Sequence, residues 1–322
     1  MVSVAVIGSG AVGCYYGALL ARAGHDVRFL MRRDLAAVRA NGLDIRSHLG
    51  DFQLREVQAF AASEEIGPVD WVICSLKTTV LDDAERLVKP CLGRSSRILA
   101  LMNGLGVEER LAAWAGPERV FGGMAFVCIN RGAPGVVHHL KYGRLSLGHL
   151  GDDATQTAEL ATLFAGAGAE VTAAPDLWHA RWEKLCWNIP FNGLSVAAGG
   201  IGTQAIIDDA ALRATAERAM REVIAAGNAD LAARGSASRI SEAEMVGRMF
   251  ALTESMGDYR TSMAIDYVQG QPLEVETILG QPVRRALELG VATPTMDALY
   301  ALVRAADLRL RGVIAALTLE TL

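Results

Sequence analysis

The sequence predicts an α/β protein in two parts: a doubly wound, mostly parallel sheet with helices on both faces, followed by an all-helical domain. Three observations carry this. From Met1 to about Val171, short apolar runs alternate with helical or turn-rich stretches, the rhythm of a parallel sheet built from crossovers. After Ala174-Pro175 the strand-like runs vanish and amphipathic helical patterns dominate. At 322 residues, 51% of them hydrophobic, the chain is long and apolar enough for two domains of ordinary size. The expected division is 1–173 and 174–322.

Ser3-Val-Ala-Val-Ile7 is apolar and β-branched and reads as a buried parallel strand. It runs into Gly8-Ser9-Gly10-Ala11-Val12-Gly13, then a helical stretch to Ala23, a stop at Gly24 and a second strand, Asp26–Met31. Strand, G-x-G-x-x-G, helix, strand is the context in which this glycine spacing points to a dinucleotide site. Gly8 makes the tight turn, Gly10 lets the backbone approach a pyrophosphate, and Gly13 lets helix and strand pack closely. Free N–H groups and the helix dipole would hold the phosphates. The bland alternative is a plain glycine turn. Further strands are expected at Trp71–Leu76, Ile98–Met102, Val120–Val127 and Leu145–Leu147. Leu43–Arg46, Phe52–Leu54 and Val57–Ala59 read as a small antiparallel excursion. In the second part helices are expected near Leu177–Ala198, Asp208–Arg234, Ser241–Glu254, Glu274–Leu289 and Pro294–Leu310, broken by glycines.

The second strand ends in Met31-Arg32-Arg33-Asp34. A site for NAD usually carries an acid about 20 residues past the glycines, to accept the ribose 2′-hydroxyl. A guanidinium instead suits a 2′-phosphate, always charged and bidentate. Arg32 therefore predicts NADP(H). The competing reading makes Arg32 and Arg33 surface charges and Asp34 the reader.

A net charge of −5 without a basic stripe argues against nucleic acid as a partner. The opening, uncharged until Arg22, lacks the positive start of a signal peptide. No window is apolar for long enough to span a bilayer. Cys14, Cys74, Cys91, Cys128 and Cys186 are scattered, odd in number and without C-x-x-C. They read as core residues in a reducing cytoplasm. The six histidines have no metal-ligand spacing, and His138 and His139, adjacent in a strand, should face opposite ways. Gly193-Leu-Ser195 faintly resembles a nucleophile elbow, but the segment reads as helical and Ser195 as packing. A homodimer would leave no mark readable in the sequence.

Four lysines stand against 27 arginines. A position that keeps lysine therefore needs what arginine cannot give, a proton releasable near neutral pH. Lys184, Asn188 and Asn192 fall at i, i+4 and i+8 on one helix face, with apolar Leu185, Cys186, Trp187, Ile189 and Phe191 between them. A buried Lys-Asn-Asn stripe needs a ligand or water to satisfy it, and burial would move the lysine towards the pKa a general acid needs. Pro190 should kink this helix. Lys77 and Asn103 end strands at the sheet edge that carries the glycine loop, though one could be a solvated strand end and the other a turn. Ser262 could be a helix cap, and Glu274, after Pro272, a first-turn charge.

These residues together resemble the ketopantoate reductases (2-dehydropantoate 2-reductases). The resemblance runs nearly end to end, through Gly8–Gly13, Leu20–Val27, Ser75-Leu-Lys77, Asn103-Gly-Leu-Gly106, Trp182–Asn188, Asn192, Ser262-Met, Glu274-Val-Glu276 and Gly290–Pro294. It implies a Rossmann domain joined to a helical domain and NADPH-dependent reduction of 2-dehydropantoate to (R)-pantoate. It implies Lys184 as proton donor, Asn188, Asn192 and Ser262 as substrate ligands, and Glu274 at the substrate–cofactor junction. Lys77 and Asn103 would contact the cofactor, Asn103 also facing the substrate, and the Cys128 backbone would lie along the nicotinamide. Two features depart from the family pattern. Gly199-Gly-Ile-Gly202 stands where many members place an asparagine, and Pro190, Trp187 and Phe191 would reshape the pocket. The rival readings are a reductase of another 2-oxo acid, an opine-type dehydrogenase, and a nucleotide sensor without catalysis.

Overall fold

The computed structural model describes residues 1–315. The chain divides into two compact units, Met1–Leu177 and Trp178–Leu322.

The first unit is α/β. Its strands are β1 (Ser3–Ile7), β2 (Asp26–Leu30), β3 (Leu43–Ser47), β4 (Phe52–Leu54), β5 (Gln58–Phe60), β6 (Val69–Cys74), β7 (Leu92–Ala100), β8 (Val120–Arg131), β9 (Val136–His149) and β10 (Val171–Ala173). Its helices are α1 (Ala11–Arg22), α2 (Leu35–Asn41), α3 (Ser63–Ile66), α4 (Ala84–Val88), α5 (Val107–Ala115) and α6 (Ala154–Leu163). The sheet order is β4-β3-β9-β8-β7-β6-β1-β2-β5, with β10 beside β9. In β1 the side chains alternate between two cores: Val4 and Val6 pack on one face of the sheet, Ala5 and Ile7 on the other. A strand with both faces covered needs an unbroken apolar run, which Ser3–Ile7 supplies. From β1 the chain winds to β2 on one side and later to β6, β7 and β8 on the other, all parallel. The winding reverses at β1, so ligands are expected beyond its carboxyl end.

Two expectations need correction here. β3 and β4 do pair antiparallel, Leu43 opposite Leu54, but β5 leaves them and adds parallel to β2 at the far edge, Arg28 opposite Gln58. β3 itself runs parallel to β9. Three-residue strands show their pattern in sequence but not their partners, which long-range burial chooses. The run Leu145–Leu147 is the end of the much longer β9, which forms an antiparallel hairpin with β8. His138, Lys141, Tyr142 and Gly143 mask that strand in the sequence. Within it His138 is exposed and buried His139 is hydrogen-bonded to Ser47 Oγ (2.8 Å) and the Tyr142 carbonyl (2.8 Å), on opposite faces as expected.

The second unit is helical: α7 (Leu177–Ala197), α8 (Thr203–Asp208), α9 (Ala210–Ala233), α10 (Glu242–Met256), α11 (Ser262–Val268), α12 (Gln281–Glu288) and α13 (Pro294–Leu310). The expected helix near Glu274–Leu289 forms as one unbroken run, its first turn, Glu276–Gly280, π-helical and continuous with α12. The helix α7 continues through Pro190. Its Trp182 is fully buried against Gly227 of α9, where a Cβ would stand 2.9 Å from the indole, so only glycine fits.

Asp230 holds this packing together. Fully buried on α9, it accepts hydrogen bonds from Trp182 Nε1 (2.9 Å) and Arg285 Nε (2.7 Å) and pairs with Arg234 (3.1 Å). Burial pushes its carboxyl up, but the Trp182 and Arg285 hydrogen bonds and the Arg234 charge outweigh this and hold it below the usual value. Removing one member of a buried ion pair costs about 3–5 kcal/mol. Asp230→Ala should therefore lower unfolding stability in urea at pH 7 by roughly the lower end of that range, because both arginines retain some water. The folded pKa lies below the unfolded one, about 3.9. The contribution is thus complete above that pH and is lost as pH falls through the folded value. The gap between wild type and variant should close below about pH 4; a gap that persists would show that charge is not what Asp230 supplies.

Candidate active site

The glycine loop leaves β1 in a conformation that side chains resist. Gly8 has φ +105°, and a Cβ there would stand 2.5 Å from the Leu76 nitrogen. At Gly13 a Cβ would stand 2.3 Å from both the Gly8 carbonyl oxygen and Ser75 Oγ. Gly10 is the opposite case: a Cβ would meet nothing within 4 Å, so the backbone there is open to an approaching group. Ser75 Oγ donates to the Gly8 carbonyl (2.7 Å) and Ser9 Oγ to the Leu30 carbonyl (2.7 Å), which locks the loop between β6 and β2.

Gly10 starts α1 without a side-chain cap, and the first turn holds no acidic residue. Cys14 N–H is the first to bond back, to the Gly10 carbonyl (2.9 Å). The N–H groups of Ala11, Val12 and Gly13 therefore stand at the positive end of the helix with no intrahelical partner. This is the donor set a pyrophosphate requires, and the open backbone at Gly10 gives it room.

Other predicted residues lie at the same end of the sheet. Lys77, exposed, follows β6 by three residues, and Asn103, half-buried, follows β7 by three. Asn103 precedes Gly104 (φ +95°) and Gly106 (φ +83°), the latter starting α5. The pairing of β8 with β7 ends at Gly122, yet β8 runs on to Arg131. Cys128, buried and six residues past that point, lies about 20 Å further along the strand. At the tip of β2, Arg32 and Arg33 are exposed, whereas the Asp34 carboxylate turns to Arg131 and the Gly135 N–H (3.5 Å).

In the second unit Lys184, Asn188 and Asn192 are 9%, 3% and 1% exposed, so the stripe on α7 is buried rather than solvated. Asn188 Nδ2 donates to nothing among the described residues, which is costly unless a ligand or water accepts from it. Asn192 has other work: its Oδ1 accepts the Met263 N–H (3.2 Å) in the first turn of α11. That bond fixes the start of α11, where Ser262 stands. The cap of α11 is Thr261, whose Oγ1 accepts from Ala264 (3.2 Å), so Ser262 is not the cap. Glu274 is buried and precedes the helical turn instead of lying within it, its carbonyl accepting from Ile278 (3.2 Å). Trp187 and Phe191 stack on each other at 5.3 Å, and Trp187 Nε1 donates to Thr253 Oγ1 (3.0 Å). Both rings are core packing against α10. Ser195 is fully buried in the last turn of α7, not on a strand-to-helix turn, which removes the nucleophile-elbow reading. Sequence reasoning named Ser75 without its bond to Gly8 and missed Thr253 and the Asp34–Arg131 pair; short polar side chains that bond at long range leave no local pattern.

The ketopantoate reductase family (PanE/ApbA) matches this chain in both its parts, the N-terminal one over residues 4–152 and the C-terminal one over residues 176–307. The chain belongs to this family. It is 37% identical over 302 residues to a 2-dehydropantoate 2-reductase of Nostoc sp., covering 92% of each chain. A crystal structure of 2-dehydropantoate 2-reductase from Geobacter metallireducens is similar with a TM-score of 0.90 and 44% identity, over 94% of this chain and 99% of that one. The fold alone is shared with a D-mandelate dehydrogenase solved with NADH and anilino(oxo)acetate (TM-score 0.85, 20% identity, over 96% of this chain and 99% of that one).

For this family member the loop and the stripe give separate expectations. Gly13→Ala forces α1 away from Gly8 and should weaken dinucleotide binding by about tenfold, or ~1.4 kcal/mol, in a fluorescence titration. Asn192→Ala leaves the buried Met263 N–H unpaired and should cost about 1–3 kcal/mol in chemical denaturation. Unchanged stability would show that the bond to Met263 holds nothing.

Proposed function

We propose that this chain reduces 2-dehydropantoate to (R)-pantoate with NADPH. The observation that carries the reading is the buried Lys184, Asn188, Asn192 face of α7, with an amide donor still to be satisfied, in a chain whose other unit presents an uncapped helix N-terminus. When bound, the cofactor supplies the hydride. Gly8, Ser9, Gly10, Ala11, Val12 and Gly13 would hold its pyrophosphate, Arg32 its 2′-phosphate, and Lys77, Asn103 and the Cys128 backbone the remainder.

The chain's own residues manage the ketone. As C2 accepts hydride, negative charge gathers on the carbonyl oxygen. The Lys184 ammonium stabilises that charge and gives its proton, so the C=O becomes CH–OH and the amine is left neutral. Asn188 Nδ2 donates to the substrate, and Asn103 and Ser262 complete the orientation that sets the face of attack. Glu274 acts at the junction of substrate and cofactor. Five free, buried cysteines suit a reducing compartment, and we place the chain in the cytoplasm.

A second reading, a reductase of another 2-oxo acid, draws on one observation. The loop Gly199-Gly-Ile-Gly202 offers no carboxamide, and Gly199 and Gly200 have φ +88° and +95°. Comparing kcat/KM across 2-oxo acids separates the two readings, with 2-dehydropantoate expected to lead. Lys184→Ala should lower kcat by about 10²–10⁴ with far less effect on cofactor affinity. A variant that keeps most of its kcat would remove Lys184 as proton donor. No oxidation of NADPH with any 2-oxo acid would favour the nucleotide sensor.

A further inference from the structure

The tip of β2 carries two cations and one acid, and a charge pair decides how they combine. Asp34 stands 21 residues past Gly13, where an acid ordinarily accepts the ribose 2′-hydroxyl of NAD. In this chain its carboxylate does not face outward. Oδ2 accepts from Arg131, the last residue of β8, and more weakly from the Gly135 N–H at 3.5 Å in the β8–β9 turn. Oδ1 is buried and accepts no hydrogen bond among the described residues, with Arg33 Nε at 3.6 Å. The Asp34 side chain is 12% exposed, against 33% for Arg131 and 72% for Arg33. The pair also lies close to the glycine loop. Burial pushes the Cys14 thiol up to about 12, the Arg131 charge pulls it down and the Asp34 charge pushes it up. Cys14 Sγ in turn contacts the Ser9 carbonyl at 3.4 Å.

We propose that Arg131 is a positioning residue for cofactor choice: it turns Asp34 into the β8–β9 turn and neutralises it, which converts a ribose-reading acid into a site that tolerates a 2′-phosphate. A free carboxylate at this point would repel that phosphate and accept the 2′-hydroxyl of NADH instead. With Asp34 paired, Arg32 is left as the charge that meets the ligand. Asp34 also bonds through its carbonyl to Val38 N–H (2.9 Å) in α2, so its backbone stays fixed while its side chain is diverted. The inference rests on the NADPH reading above and adds the residue that makes it work.

The test is binding, not turnover. Dissociation constants for NADPH, NADH and 2′,5′-ADP are measured by calorimetry on wild type, Arg131→Gln, Arg131→Lys, Asp34→Asn and the double variant Arg131→Gln/Asp34→Asn. Arg131→Gln should weaken NADPH and 2′,5′-ADP by about tenfold or more and leave NADH within about threefold or tighter. Arg131→Lys and Asp34→Asn should keep the wild-type preference. The double variant should regain it, because no carboxylate remains to be masked. Equal weakening of NADPH and NADH in Arg131→Gln would overturn the proposal in favour of a purely structural pair. A double variant that stays defective would overturn it in favour of direct contact between Arg131 and the phosphate. A wild type that binds NADH as tightly as NADPH would overturn the NADPH reading and this inference together.

Discussion

The helix α1 begins with N–H groups that no side chain caps, at the point where the winding of the sheet reverses. An uncapped helix start ordinarily costs stability, since Ser, Thr, Asp or Asn there would satisfy one of its donors. Here Gly10 occupies the cap position, and its missing Cβ leaves the space above the donors open. The surrounding contacts serve that arrangement. Gly8 turns the chain where a side chain would strike the backbone after β6, Gly13 brings α1 down onto the Gly8 carbonyl, and Ser75 fixes that carbonyl. An anion completes what the fold leaves unpaired.

The helical unit follows the same logic with different groups. The face of α7 that carries Lys184, Asn188 and Asn192 is buried among apolar neighbours. One of its two carboxamides is committed to the protein, through the bond from Asn192 to the start of α11. The other, Asn188, keeps an Nδ2 donor without a partner among the described residues. The two amides are thus used differently, a division that a uniformly polar stripe in the sequence does not reveal. The π-helical turn after Glu274 is a further irregularity of the kind that recurs at functional sites. The Asp230 cluster supplies rigidity behind α7, since Trp182 lies two residues before Lys184 and is tied to α9.

At the tip of β2, charge and position part company. Arg32, Arg33 and Asp34 are consecutive, so sequence alone offers both a phosphate reader and a hydroxyl reader. The fold brings Arg131, 97 residues further on, against the Asp34 carboxylate and leaves Arg32 exposed.

Sequence by itself determined the elements whose information is local. A strand buried on both faces must be continuously apolar, a loop with φ +105° must be glycine, and a stripe at i, i+4 and i+8 must share a helix face; Ser3–Ile7, Gly8 and Lys184–Asn192 were legible for those reasons. Only the tertiary structure decided matters that depend on partners distant in the chain. It sent β5 to the opposite edge from β4, joined β9 to β8 across a stretch of histidines and a lysine, gave the cap of α11 to Thr261, and turned Asp34 towards Arg131. The physical reason is the same in each case. A short polar residue or a three-residue strand can satisfy its hydrogen bonds in several ways, and burial across the whole unit selects one of them.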